Sequence, residues 1–195
     1  MNLTSIIDEE TVYLKHFYDS LTLAKIIDLN NYESLCDIGS GAGFPGIVLK
    51  IFYPNLDIVL VDSLNKRINF LNIVIDKLGL KNIQAVHARI EDFSKYNKEK
   101  FDIVTARAVA PLNILLELGI NLVKVNRYFI AMKGNLENEV DYNNALEKLG
   151  CSVEKIIEFN LPIECSKRSL IKIIKKASTF KIFPRKYSDI KKKPL

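Results

Sequence analysis

The segment CDIGSGAGFPG, Cys36 to Gly46, carries two overlapping glycine patterns, each suited to a different nucleotide-like ligand. From Asp37 it reads D-x-G-x-G-x-G through Gly39, Gly41 and Gly43, the form used around S-adenosylmethionine. From Gly41 it reads G-x-G-x-x-G through Gly43 and Gly46, the dinucleotide form. Both rest on the same physics: without side chains the turn comes close to its ligand, and a helix opens at Pro45, a favoured first position. Asp62 is placed to bind a ribose at the end of the next strand, 19 residues after Gly43 and 21 after Gly41, and both spacings are acceptable. A phosphate-binding P-loop is excluded, because Gly46 is followed by Ile47 and Val48 where a Lys and a Ser or Thr are required.

Two features outside the glycines favour S-adenosylmethionine. Asp37 puts a carboxylate at the end of the first strand, which would oppose a pyrophosphate but suits a cationic methionine, directly or through water. After the third strand comes ARIEDF, where Ile90 and Glu91 can face an adenine by apolar contact and hydrogen bonding; helix capping by Glu91 and Asp92 is the competing reading. The alternative enzyme is a nicotinamide-dependent oxidoreductase.

The methyl acceptor is narrowed by what is missing. Pyrimidine C5 chemistry needs a nucleophilic cysteine after the fourth strand, and Cys36, Cys151 and Cys165 lie elsewhere, Cys36 on a strand expected in the core. Adenine amino methylation goes with an N-P-P-Y-like segment after that strand; the nearest match, Asn160 to Ile163, falls far downstream. The chain has TARAVAP there instead, with Arg107 at the sheet edge. A ring nitrogen such as guanine N7 already has its lone pair and loses no proton, so positioning and charge control suffice without a general base. Arg107 is the candidate for that role; it suits a phosphate, a guanine edge or a methionine carboxylate, or else a surface salt bridge.

The elements that must position these groups alternate in period. Strands are expected at Ser34–Asp37, Asp57–Val61, Ile83–His87, Phe101–Thr105, Arg127–Met132, Ser152–Glu158 and Ser169–Lys175. Helices are expected at Pro45–Phe52, Leu64–Leu78 and Pro111–Leu122, with only a polar connection around Ile90–Lys100. In the second of these, Leu64, Ile68, Leu71, Ile75 and Leu78 form one stripe, and Gly79 is placed as a left-handed cap. A further helix, about residues 10–28, carries Leu14, Phe17, Leu21 and Ile26 toward the sheet. The pattern predicts an α/β fold: a mostly parallel seven-stranded sheet, helices on both faces, and a closing antiparallel hairpin. That is the Rossmann-like class I methyltransferase arrangement rather than two dinucleotide-binding halves.

The 195 residues fit a single domain that buries roughly 70% of its extended surface. Three cysteines without C-x-x-C spacing indicate neither disulfides nor a metal cluster. With no signal peptide and no long uncharged apolar window, a reducing, cytoplasmic setting away from membranes is expected. The net charge of +5 is uneven: residues 166–195 carry +10 and the remainder −5. Phe180, Phe183 and Tyr187 are interleaved among those cations, which suits a nucleic-acid backbone as well as it suits a solvated tail.

Over nearly its whole length the chain resembles the bacterial 16S ribosomal RNA guanine-N7 methyltransferases, the RsmG or glucose-inhibited division protein B family. The matching stretches are NLTSI (2–6), HFYDSL (16–21), DIGSGAGFPGI (37–47), VDSLNKRINFL (61–71), ARIEDF, TARAVAPL and MKG (132–134). The resemblance implies donor binding by Gly39 and Phe44 in the loop, by Asp62 and Ser63 at the second strand end, by Ile90 and Glu91, and by Arg107, alongside Asp37 and Gly41 from the motif itself. It places His16, Asp19 and Ser20 beside the pocket, and assigns Lys133 and Arg168 to RNA. It also raises the RNA reading of the tail FPRKYSDIKKKPL with Lys191, Lys192 and Lys193. Members carry a longer helical leader ahead of NLTSI, and a histidine is common where Ser169 stands. The implied partner is 16S rRNA or a small-subunit precursor particle, met by a monomer. A non-catalytic RNA-binding assembly factor is the remaining alternative.

Overall fold

The computed structural model describes residues 8–138 and 140–195; the NLTSI segment lies outside the described residues. One seven-stranded sheet has the order β3-β2-β1-β4-β5-β7-β6, formed by β1 (Ser34–Ile38), β2 (Asp57–Asp62), β3 (Ile83–His87), β4 (Phe101–Arg107), β5 (Val123–Lys133), β6 (Cys151–Asn160) and β7 (Lys167–Lys175). Strands β1 to β5 pair in parallel, and β7 inserts antiparallel between β5 and β6. The expected hairpin is therefore present, and its second strand rather than its first meets β5. This order departs from the all-parallel double winding of dinucleotide folds.

Alternating side chains build a core on each face. Cys36, Ile38, Val59, Val61, Val104 and Ala106 pack with Leu112, Leu115 and Leu116 of α6 (Leu112–Gly119). Leu35, Ile58, Leu60 and Ile103 pack with α3 (Gly46–Phe52), α4 (Asn65–Lys77) and the N-terminal segment through Leu23 and Ile26. On α4 the buried stripe is Ile68, Leu71 and Ile75, whereas Leu64 and Leu78 at its ends stay half exposed. Gly79, at φ +60°, turns the chain while the Leu80 amide donates to the Ile75 carbonyl, closing the helix as expected.

Two helical expectations are corrected. The connection at Ile90–Lys100 contains a helix, α5 (Ile90–Tyr96), whose Ile90 and Phe93 pack on the core one turn apart and whose Glu91 and Asp92 stabilise its positive end. The helix expected over 10–28 is not one regular element. It runs as α1 (Glu9–Val12), a π-helical turn (Tyr13–Tyr18), α2 (Asp19–Leu21) and a 3₁₀ turn (Thr22–Lys25). The Ser20 hydroxyl donates to the His16 carbonyl and the Thr22 hydroxyl to that of Asp19. Such back-bonding competes with the regular ladder and bends it. Beyond β5 lie α7 (Asn143–Lys148) and, near the end, α8 (Tyr187–Lys192), which buries Ile190 completely.

Candidate active site

Two adjoining cavities open at the C-terminal edge of the parallel strands, where the turns after β1, β2, β3 and β4 converge. The first, about 770 Å³, is lined by the glycine loop from Gly39 to Phe44, by Asp62 and Ser63, by Ile90 and Glu91, and by the stretch Arg107–Ala110. Within the loop Gly39, Gly41 and Gly43 all hold positive φ. They do so for different reasons. A Cβ at Gly39 would meet Val109 at 2.6 Å and one at Gly43 would meet Ile47 at 2.5 Å, whereas one at Gly41 would have no atom nearer than 3.9 Å. Gly41 thus borders open space that a ligand can fill. Gly46 packs the base of α3 onto Leu60 and Asp37, where a Cβ would clash with the Leu60 side chain.

The two acids of the loop are both buried and differ in what they hold. Asp62 accepts the Gly41 amide at 3.0 Å, the Leu64 amide at 2.9 Å and the Arg67 guanidinium at 3.1 Å. Its carboxylate sits in the cavity wall as the tie between loop and strand. Asp37 lies beneath the loop: Oδ2 accepts the Gly46 amide at 3.0 Å, and Oδ1 is buried without a partner among the described residues. Burial pushes its pKa up to about 7, against the opposing pull of the Gly46 amide and of Arg107. Glu91 opens α5 and faces Arg89 at 3.8 Å.

The second cavity, about 620 Å³, lies across Arg107 from the first and is bounded by Lys15, His16, Asp19, Lys133, Arg168 and Ser169. His16, Arg107 and Ala108–Ala110 belong to both walls. The His16 ring stacks on Phe44 with centroids 4.7 Å apart, and the Arg107 guanidinium lies 5.4 Å above the same phenyl ring. Arg107 donates to the Lys15 carbonyl at 2.9 Å and lies 3.5 Å from Asp19. Its nearer contact with His16 is at Nδ1, 3.5 Å away, which favours a lone pair there. Burial first, then the Arg107 charge, lowers the His16 pKa and holds the ring neutral. Arg168 donates through Nε to Asp19 at 3.1 Å, so one carboxylate lies between two guanidiniums contributed by β4 and β7. Lys133 is buried and its ammonium donates to the Ala110 carbonyl at 2.6 Å, tying β5 to the turn after β4. That turn holds Ala108 at φ +54°, a conformation disfavoured for residues with a Cβ and concentrated at functional sites.

The chain matches the family model for rRNA small subunit methyltransferase G, GidB, over residues 1–171. This protein is a member of that family. Relatives named ribosomal RNA small subunit methyltransferase G from Oceanobacillus iheyensis and Staphylococcus carnosus are 52% and 50% identical over all of this chain and 84% and 83% of their own lengths. Among solved structures, a putative methyltransferase from Bacillus halodurans superimposes with TM-score 0.66 at 16% identity, over 82% of this chain and all of that one. A SAM-dependent methyltransferase from Aquifex aeolicus does so with TM-score 0.59 at 19% identity, over 86% and 94%. These two similarities establish the class I methyltransferase fold. The family indicates S-adenosylmethionine as the cofactor, so the oxidoreductase and non-catalytic readings have no support.

The cavities fit that cofactor. The open face of Gly41 and the unpartnered Asp37 Oδ1 are a cradle and a buried acceptor that no described residue fills. Gly39, Gly41, Phe44, Asp62, Ser63, Ile90, Glu91 and Arg107 line the first cavity; Asp37 supports it from below without lining it. His16, Lys133 and Arg168 line the second. Lys191, Lys192 and Lys193 line neither and stand exposed at the end of α8, whereas Tyr187 at its start lines the first. Sequence reasoning missed Arg67 and Tyr187. Arg67 was readable in principle as a cation five residues after an acid at a strand end. Tyr187 reaches the cavity only because α8 folds back on α6, which no local pattern encodes.

Proposed function

We propose that this protein transfers the methyl group of S-adenosylmethionine to N7 of one guanine in 16S rRNA, with the donor in the first cavity and the base in the second. The observation that carries this reading is the shared wall: two nucleoside-sized cavities meet at Arg107 and Ala108–Ala110, on the sheet edge where strand ends and helix starts converge. When bound, S-adenosylmethionine supplies an electrophilic methyl group on a sulfonium. The glycine loop leaves room for it, Asp37 beneath the loop draws its ammonium by charge or through water, and Asp62 with Ser63 borders the ribose position. Ile90 supplies apolar contact for the adenine and Glu91 a polar one.

No described cysteine lines either cavity: Cys36 and Cys151 are buried in the core, and burial raises both thiols, Cys151 to about 12. Guanine N7 needs no deprotonation, so the chain's own contribution is orientation and exclusion of water by the His16, Phe44 and Arg107 stack. Arg107, Lys133 and Arg168 line the acceptor side as RNA-facing cations, and exposed lysines of the C-terminal segment extend that charge outward. The substrate is 16S rRNA or a small-subunit precursor particle, and the enzyme acts as a cytoplasmic monomer. Among the described residues no helix is long and apolar enough to cross a membrane.

Purified protein given methyl-labelled donor should label small-subunit particles or deproteinised 16S RNA at one guanosine, and borohydride–aniline cleavage should locate the modification at N7. Absence of label, under conditions where one of the Oceanobacillus or Staphylococcus relatives labels the same RNA, would overturn the reading.

A further inference from the structure

Tyr187 lines the first cavity, yet the donor site built from the glycine loop and the strand ends gives it no task. It lies beyond residues 1–171, the stretch that the family model covers. The ring is mounted between two anchors. Two residues earlier, Arg185 grips the wholly buried Glu117 of α6, Nε to Oε1 at 2.7 Å and Nη2 to Oε2 at 2.6 Å. Three residues later, Ile190 is completely buried, and at the chain end the Leu195 carbonyl accepts from the Asn113 side-chain amide at 3.3 Å. Between these anchors Tyr187 stays 39% exposed, and among the described residues no hydrogen bond or aromatic contact engages its side chain. An aromatic ring fixed in a cavity wall with surface left uncovered suits a flat, apolar ligand, because it is ordered before anything binds.

The geometry points to Tyr187 as a wall of the adenine subsite, its ring laid against the base of S-adenosylmethionine or of the S-adenosylhomocysteine product. This inference rests on the placement of the donor in the first cavity. The faces of the sheet decide which end of the donor Tyr187 meets. Helices α5 and α6 and the C-terminal segment share one face, the segment packing there through Phe183 and Leu195. From that side the cavity is lined by Ile90, Glu91, Leu118 and Tyr187. Helices α3 and α4 and the N-terminal segment cover the other face, where Gly46 at the start of α3 closes over Asp37. Tyr187 therefore stands on the side of the adenine turn, with α8 resting on the same α6 against which α5 packs.

The adenine is neutral, flat and unchanged by methyl transfer, so a ring against it holds substrate and product alike. Such a contact sets the affinity for the donor and leaves the barrier to methyl transfer where it was. The ring supplies it and the hydroxyl is dispensable.

Calorimetry with S-adenosylhomocysteine and with methylthioadenosine, which keeps the base and ribose but lacks the amino-acid end, tests the placement. Tyr187→Ala should weaken both ligands by one common factor, on the order of 10-fold, and Tyr187→Phe should hold both within about twofold. Unchanged affinity in Tyr187→Ala would overturn the inference. So would a loss confined to S-adenosylhomocysteine, which would move the ring to the methionine end. The chain has no tryptophan, so Tyr187→Trp installs a single indole at this point and carries the test if the alanine variant is unfolded. Its emission should be quenched on saturation with methylthioadenosine and stay constant with methionine. Constant emission at a nucleoside saturation verified by calorimetry would also overturn the inference. Gly41→Val distinguishes such a failure from a misplaced donor: its side chain fills the open face of the loop and should abolish S-adenosylhomocysteine binding. Undiminished binding in that variant would overturn the placement of the donor in the first cavity.

Discussion

Asp37 shows how far one residue can be read from its position in a motif. Its location at a strand end ahead of three glycines was sufficient to nominate it, and the burial that shifts its pKa to about 7 was not legible, because it depends on Gly46 closing over it. The shift has a definite sign. The folded chain keeps the Asp37 proton from the ordinary carboxylate range up to about 7, so the folded state binds more protons than the unfolded one over that window. Stability contributed by this group is therefore full below about pH 4 and declines as pH rises toward 7, by at most about 1.4 kcal/mol per pH unit. Donor binding runs the other way, since only the ionised form attracts an ammonium. Affinity for S-adenosylmethionine should tighten between pH 6 and 8 and Asp37→Asn should flatten that dependence, measured by calorimetry after correction for the donor's own amino group. Equal slopes in native and variant protein would remove Asp37 from the donor site. Asp62 illustrates the complementary lesson. The ribose spacing located it, but its three contacts to Gly41, Leu64 and Arg67 come from a loop conformation that spacing does not describe.

The strands were read correctly in number and place because period-two apolar runs survive in isolation, and the boundary errors fall where packing extends them. Strand β5 starts at Val123 rather than Arg127, held by pairing of Phe101 with Val123 across a register irregularity. Short helices were the weak point: α5 offers only seven residues, too few for a periodic signal to outweigh its polar composition. The C-terminal segment is the clearest case of structure supplied from elsewhere. Arg185 grips the fully buried Glu117 of α6 with Nε–Oε1 at 2.7 Å and Nη2–Oε2 at 2.6 Å, and its backbone N–H adds a third bond at 3.1 Å. The pair is asymmetric, because the Arg185 side chain keeps a partly exposed surface and the Glu117 side chain has none. Arg185→Ala strands a carboxylate in the interior and should cost about 3–5 kcal/mol. Glu117→Gln leaves an acceptor and lets the guanidinium reach water, so about 1–2 kcal/mol is expected. Urea unfolding of both variants checks the order; equal losses would mean that the pair is solvated and that α8 is held by Ile190 alone.

For the molecule as a whole, the uneven charge seen in the sequence is retained, but it is not a free tail. Of the cations in residues 166–195, Lys175 is wholly buried on the Val123 carbonyl and Glu99, Lys172 pairs with Glu154 over the Tyr128 ring, Arg168 holds Asp19, and Arg185 holds Glu117. Counting charges along the chain could not separate these from the exposed set, which includes Lys176, Lys181, Lys186 and Lys191–Lys193. The exposed lysines at the end of α8 are joined through that helix to Tyr187 in the wall of the first cavity, so RNA held there would lie on the same body as the proposed chemistry. If Lys191, Lys192 and Lys193 each neutralise a phosphate, replacing all three with alanine releases fewer counterions on binding. The slope of log affinity against log salt should then flatten by about 0.7 to 0.9 per contact, or about 2 to 3 in all. A control replacing Lys77 and Lys81, exposed between α4 and β3 at the opposite edge of the sheet, should leave the slope where it was. Fluorescence anisotropy of labelled 16S fragments across a salt series measures both. An equal flattening in the control would reduce the effect to net charge, and no flattening in the triple variant would leave α8 as a structural strap whose lysines serve only solvent.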